Sequence, residues 1–249
     1  MAGRLGPLTL LVALALMGAA VLAAPARGNI LKRLDYETGG LGQWNYVQAL
    51  PGRVAVVNRP TRQGHYAARF TVKPGDKPVG GSGERAELTS LTGEHAGMTS
   101  WWRWSTFFPR HFNPVRGTWN VFTQWHQTQD ACSPPLQFTV DASGHPARMY
   151  LRVKGGRLNT RTCSASYSRS FRMGTLHLRH WYRFVLQVKW SPYKSRGFLR
   201  LWVNGRRRVK SHAATLYKGQ GVYAKQGFYR GPSSKTSIIF HDGMQRFRP

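Results

Sequence analysis

The chain has 249 residues, with 37 lysines and arginines against 9 aspartates and glutamates, and a formal net charge of +28. That length suits one domain with a real core, and such a field gathers polyanions: nucleic acid, anionic lipid or acidic polysaccharide. So few acids disfavour a glycoside hydrolase, which works with paired carboxylates, and two cysteines without a Cys-x-x-Cys make no zinc site.

In chain order, Arg4, the apolar run Leu8 to Leu22 and the small residues Ala24-Pro25-Ala26 have the form of a secretory signal over residues 1–26. A single mature domain over 27–249 is then expected, secreted to the periplasm or the medium, with no membrane attachment after cleavage. Export makes Cys132 and Cys163 readable as one disulfide, whose loop of roughly 30 residues contributes about 3 to 4 kcal/mol. Short alternating runs follow. Arg53–Val57 and Ala67–Val72 read as strands, and the glycine- and proline-rich stretch from Lys73 to Gly83 as a loop. In Glu84–Thr89, Arg85, Glu87 and Thr89 share one face, with Ala86 and Leu88 on the other. In Trp101–Phe108, alternation groups Trp102, Trp104, Thr106 and Phe108 as core. In Trp119–His126 it groups Asn120, Phe122, Gln124 and His126. Arg148–Lys154 alternates basic and apolar, and Arg157–Arg172, polar and basic, reads as a mobile loop. The clearest strand is Trp181–Trp190, paired with Phe198–Val203, after which Asn204-Gly205 makes a type I′ turn into Arg206–Val209. Thr236–Gly243 closes the series.

The focal stretch is Tyr223-Ala224-Lys225-Gln226-Gly227-Phe228-Tyr229-Arg230. As a strand it sets Tyr223, Lys225, Gly227 and Tyr229 on one face, and the glycine leaves room for a ligand near the backbone. Many short alternating strands with Gly, Pro and Asn turns predict an all-β, two-sheet antiparallel sandwich, a concanavalin A-like jelly roll. A basic sandwich suggests an acidic glycan. In a uronate polymer the C5 proton lies α to a carboxylate, so cleavage by β-elimination needs three parts: a charge neutraliser, a base and an acid. Arg85 and Gln124 can neutralise the carboxylate; His126 and Tyr229 can move the protons; Lys225, Glu87, Tyr223 and Arg230 can hold the substrate.

Arg85-x-Glu87-Leu88, Gln124-x-His126 and Tyr223-x-Lys225-x-Gly227-x-Tyr229 resemble the three strand motifs of the jelly-roll polysaccharide lyases. Val188-Lys189-Trp190-Ser191, Trp202-Val203-Asn204-Gly205 and His241-Asp242-Gly243 extend the likeness, which is nearest the secreted heparin lyase I-like and glucuronan lyase-like branch. It implies a carboxylate site at Arg85 and Gln124, His126 or Tyr229 as base, Tyr229 as acid, an acidic polysaccharide as partner, a monomer, and neither metal nor cofactor. Thr89, where alginate lyases carry a second arginine, and Arg230-Gly231 depart from the alginate pattern, leaving glucuronan, heparin-like or other uronate polymers. A nucleic-acid binder lacks a recognised motif here. The alternative is a non-catalytic acidic-glycan-binding lectin on the same fold.

Overall fold

The period-two patterning runs through to two antiparallel sheets, with no helix among the described residues, in a computed structural model that describes residues 28–81 and 83–249. The expected signal over residues 1–26 lies outside them. One sheet has eight strands: β1 (Asn29–Leu34), β3 (Val54–Val57), β4 (Ala67–Val72), β6 (Thr99–Phe108), β11 (His180–Lys189), β12 (Phe198–Val203), β13 (Arg206–His212) and β15 (Ser237–Arg248). Their order is β13-β12-β11-β6-β15-β4-β3, with β1 also on β15. The other sheet has seven: β2 (Tyr46–Gln48), β5 (Glu84–Glu94), β7 (Asn120–Gln127), β8 (Leu136–Asp141), β9 (Arg148–Asn159), β10 (Ser164–Thr175) and β14 (Val222–Arg230), in the order β10-β9-β8-β7-β14-β5-β2.

One hydrophobic core lies between the sheets. Trp102, Trp104 and Phe108 from β6 meet Phe184, Leu186 and Val188 from β11 and Trp125 and Phe138 from the facing sheet. The Trp104 ring stacks on Phe184 at 5.1 Å and meets Phe138 edge-on at 4.9 Å, which are favourable aromatic geometries. The Asn204-Gly205 turn has φ of 50° and 78°, as a type I′ hairpin requires. Cys132 and Cys163 are disulfide-bonded across 31 residues, tying the segment before β8 to the β9–β10 turn.

Two expectations are corrected. The stretch from Arg157 to Arg172 is not a loop: most of it belongs to β9 and the edge strand β10. Only one side of an edge strand packs, so Tyr167, Phe171 and Met173 point towards the core amid serines and arginines that mask the alternation. The face assigned to Phe122 is also wrong. Val121 pairs with Thr139 and Thr123 with Phe138, leaving Phe122 as an extra bulged residue. A bulge reverses parity locally. Phe122 therefore joins Trp125 in the core, while Gln124 and His126 keep the outer face.

Candidate active site

Strand β14 lies between β5 and β7, and its pairing brings the three motifs together: Lys225 is opposite Thr89 on one side and Gln124 on the other, and Tyr229 is opposite Arg85. Glu87 anchors this group. Its carboxylate accepts from Lys225 Nζ at 2.6 Å and from Gln124 Nε2 at 2.5 Å, and Arg85 lies 3.5 Å away. Glu87 and Lys225 are each only 2% exposed. Burial alone would raise the Glu87 carboxyl; the Lys225 and Arg85 charges and the bonds from Lys225 and Gln124 outweigh it and hold it below the ordinary range. Burial pushes the Lys225 ammonium down, against the pull of the Glu87 carboxylate 2.6 Å away. Arg85 Nε and Thr89 Oγ1 are buried without a protein hydrogen-bond partner. Unpaired donors in native interiors call for a polar partner.

Partly exposed rings flank the cluster. His126 stacks on Tyr223 with centroids 5.4 Å apart, and its Nδ1 lies 2.9 Å from the Gln127 carbonyl. A carbonyl only accepts, so Nδ1 carries the proton and the lone pair of neutral imidazole is on Nε2. Burial, with the Lys225 charge, lowers the His126 pKa and keeps the ring neutral at pH 7. Burial and Glu87 raise the Tyr223 phenol. At the other end, the Arg85 guanidinium sits 4.0 Å over the Tyr229 ring, and Trp119 packs on the same ring at 5.7 Å. Arg85 is thus the cation on Tyr229. Tyr223 and Tyr229 are six residues apart, roughly 20 Å along an extended strand, so His126 and Tyr229 bracket the cluster rather than touch.

Two sequence assignments change. Gly227 does not make room for a ligand. A Cβ there would collide with the Ala86 carbonyl and press on the Phe70 ring, and φ is +149°. Its own carbonyl lies 2.9 Å from His241 Nε2 on β15, while His241 Nδ1 lies 3.0 Å from Thr106 Oγ1. His241 therefore donates through Nε2 and accepts through Nδ1, a neutral ring whose pKa burial lowers to about 3. This tether coincides with the break in β14–β7 pairing between Gln226 and Tyr229. Arg230, expected among the substrate contacts, is 0% exposed; its guanidinium pairs with Glu84 at 2.9 Å and reaches the Val72 carbonyl. Alternation puts it on the inner side, so it ties strands together.

The chain matches a family model described as polysaccharide lyase over residues 36–245. The chain belongs to the polysaccharide lyase family. No curated protein sequence matches it. Among solved structures it is similar in fold to an endo-β-1,4-glucuronan lyase from the fungus Trichoderma reesei, with a TM-score of 0.72 and 17% identity over 89% of this chain and 96% of that one. An alginate lyase from Chlorella virus gives 0.52 and 16% identity, covering 89% and 100%. A β-glucanase catalytic domain from Podospora anserina gives 0.56 and 14% identity, covering 83% and 84%. The sandwich thus carries more than one glycan chemistry, and function rests on the site.

In this lyase the outer face of the seven-stranded sheet is crossed by two polar rows. One runs Tyr46, Thr89, Lys225, Gln124, Gln137, Arg152, Ser170; the other runs Arg85, Tyr229, Val121, Thr139, Tyr150, Arg172. Tyr46, 56% exposed, ends the first beside the cluster. Sequence reasoning missed Trp119, which follows a turn and has no partner in period, and the role of His241, because a contact between sheets leaves no mark in local spacing.

Proposed function

We propose that the protein cleaves an acidic, uronate-containing polysaccharide by β-elimination, with Arg85, Lys225 and Gln124 receiving the substrate carboxylate. The observation that carries this reading is the cationic cluster on Glu87, with unpartnered donors at Arg85 Nε and Thr89 Oγ1, bracketed by a neutral histidine and a tyrosine. The neutralised carboxylate stabilises the charge that develops as the C5 proton leaves. The C5 proton and the departing O4 lie on neighbouring carbons, so one group serves both: the deprotonated Tyr229 oxygen, beside Arg85, takes the proton, the C4–C5 double bond forms as the C4–O4 bond breaks, and the same hydroxyl returns the proton to the departing oxygen. Glu87 touches the cations, not the sugar, and positions them. Greater likeness in fold to the glucuronan lyase than to the alginate lyase, together with Thr89 at the alginate arginine position, favours a glucuronan-type polymer; a heparin-type polymer is the next to assay. The sequence signal over residues 1–26 and the Cys132–Cys163 disulfide support a site of action outside the cytoplasm.

Tyr229→Phe keeps the ring between Arg85 and Trp119 and removes only the hydroxyl. Loss of an acid in the transition state lowers turnover by about 10² to 10⁴-fold, read as ultraviolet absorbance of the unsaturated uronate product. A folded Tyr229→Phe protein with close to parental turnover overturns the assignment of Tyr229. Tyr223→Phe in parallel tests the phenol stacked on His126, and the lectin alternative is met if no uronate polymer yields product while binding persists.

A further inference from the structure

Between the exposed edges of the two sheets, where β10 closes one and β13 the other, lies a cleft of about 590 Å³ lined by Arg172, His177, His180, Asn204, Arg206 and Arg208. We propose that this cleft is a second, non-catalytic anion site that holds a distant stretch of the same acidic polysaccharide chain, an occupant that rests on the function proposed above.

Three features point to it. Arg172, Arg206 and Arg208 are exposed and, among the described residues, none of them forms an ion pair, so their charge is available to a ligand. They come from two different sheets yet converge on one concavity. Arg172 also ends the cross-strand row on which Tyr229 stands, four strands away, or roughly 19 Å at the usual strand spacing. On β9 that row passes through Tyr150, and two and four residues along the same face stand Arg152 and Lys154, opposite Ser170 and Ser168; burial together with the Arg152 charge lowers the Lys154 pKa. A linear polyanion lying across the strands would meet the reaction cluster, then Arg152 and Lys154, then the cleft. Charges scattered along sheet edges also deter edge-to-edge pairing. That role does not require them to line one cavity.

The test compares the full-length cleft variant Arg172→Ala/Arg206→Ala/Arg208→Ala with a charge-matched control, Arg59→Ala/Arg69→Ala/Lys235→Ala, whose exposed cations lie outside the cleft. Affinity for uncleaved polyglucuronate and for heparin is measured by affinity electrophoresis, and KM is compared between polyglucuronate and its tetrasaccharide. The cleft variant should lose roughly tenfold in polymer affinity, the sum of three modest exposed contacts, and the control less than twofold. Tetrasaccharide KM should be unchanged, because a chain of four sugars placed astride the scissile bond stops short of the cleft. Equal losses in the two variants, or parental polymer affinity in the cleft variant, overturn the proposal. The binding arm reads without turnover, so a protein that makes no unsaturated product refutes the lyase chemistry and leaves the cleft to be judged on affinity alone.

Discussion

Glu87→Gln is the substitution that most directly probes how the cluster is held. It keeps the shape of the side chain and one acceptor for Lys225 Nζ, but removes the charge that balances Lys225 at 2.6 Å and Arg85 at 3.5 Å. Breaking a buried pair by neutralising one partner costs about 3 to 5 kcal/mol, since the other is left as an uncompensated charge. Here the amide oxygen still accepts a hydrogen bond and the Arg85 side chain is 14% exposed, so the low end, about 3 kcal/mol, is the expected loss. The pH dependence carries a second signature. The Glu87 carboxyl sits below its ordinary 4.5 in the folded protein, so its stabilisation is complete above that value and is lost as pH falls through the depressed one. The gap between parent and variant should be widest at pH 7 and narrow below the ordinary carboxylate value. Urea denaturation of both proteins at neutral and acidic pH measures it. Unchanged stability at pH 7, or a gap that widens in acid, would refute Glu87 as the counter-ion of the cluster.

If His126 took the C5 proton, kcat/KM would rise with pH through a value below the ordinary 6.5, because burial and Lys225 lower its pKa; with Tyr229 handling both protons that acid limb is absent, and its appearance would contradict the assignment. The same shift means that folding stability tied to neutral His126 is present above 6.5 and is lost as pH falls through the lowered value. Reduction of Cys132–Cys163 should cost about 3 to 4 kcal/mol by the loop-entropy relation, seen as a fall in denaturation midpoint with dithiothreitol; an unchanged midpoint would show that the bond does not constrain the unfolded chain. His241→Phe fills the space but strands the Gly227 carbonyl and the Thr106 hydroxyl, so about 3 kcal/mol of stability should be lost, and equal midpoints would refute the tether.

Local period-two patterning is enough to read most of the strands, though not the edge-lying β1 and β2, and the outward triplet Arg85, Glu87 and Thr89, because each depends only on which neighbours alternate. It was enough also for the core stripe of β6 and for the Asn204-Gly205 turn. It failed wherever a longer-range contact overrode alternation. Phe122 was misplaced because a bulge, set by pairing with β8, reverses parity at one residue. Arg230 looks like a ligand contact in sequence, but Glu84, 146 residues away, claims its guanidinium. Strand β10 reads as a loop since an edge strand needs few apolar residues. Gly227 does mark a close backbone approach, but what approaches is Ala86 and Phe70 rather than substrate.

The charge of the cluster bears on why such a site favours elimination over simple binding. Two cations, Lys225 and Arg85, share one carboxylate, Glu87, and so leave one unit of positive charge on a largely buried face. Without Glu87 the cations would repel each other in a poorly solvated site; with a second acid nothing would be left to attract a uronate. One substrate carboxylate therefore brings the site to balance. As the C5 proton leaves, negative charge accumulates on that same carboxylate, and cations already fixed in place bind it more strongly than they bound the ground state, which is the condition for acceleration. Lys225 also helps lower the His126 pKa, so that ring adds no further positive charge beside the cluster at neutral pH. A lectin would have use for the charge balance but none for a phenol held against one of the cations, and it is the Arg85–Tyr229 contact that links the cluster to the proposed chemistry.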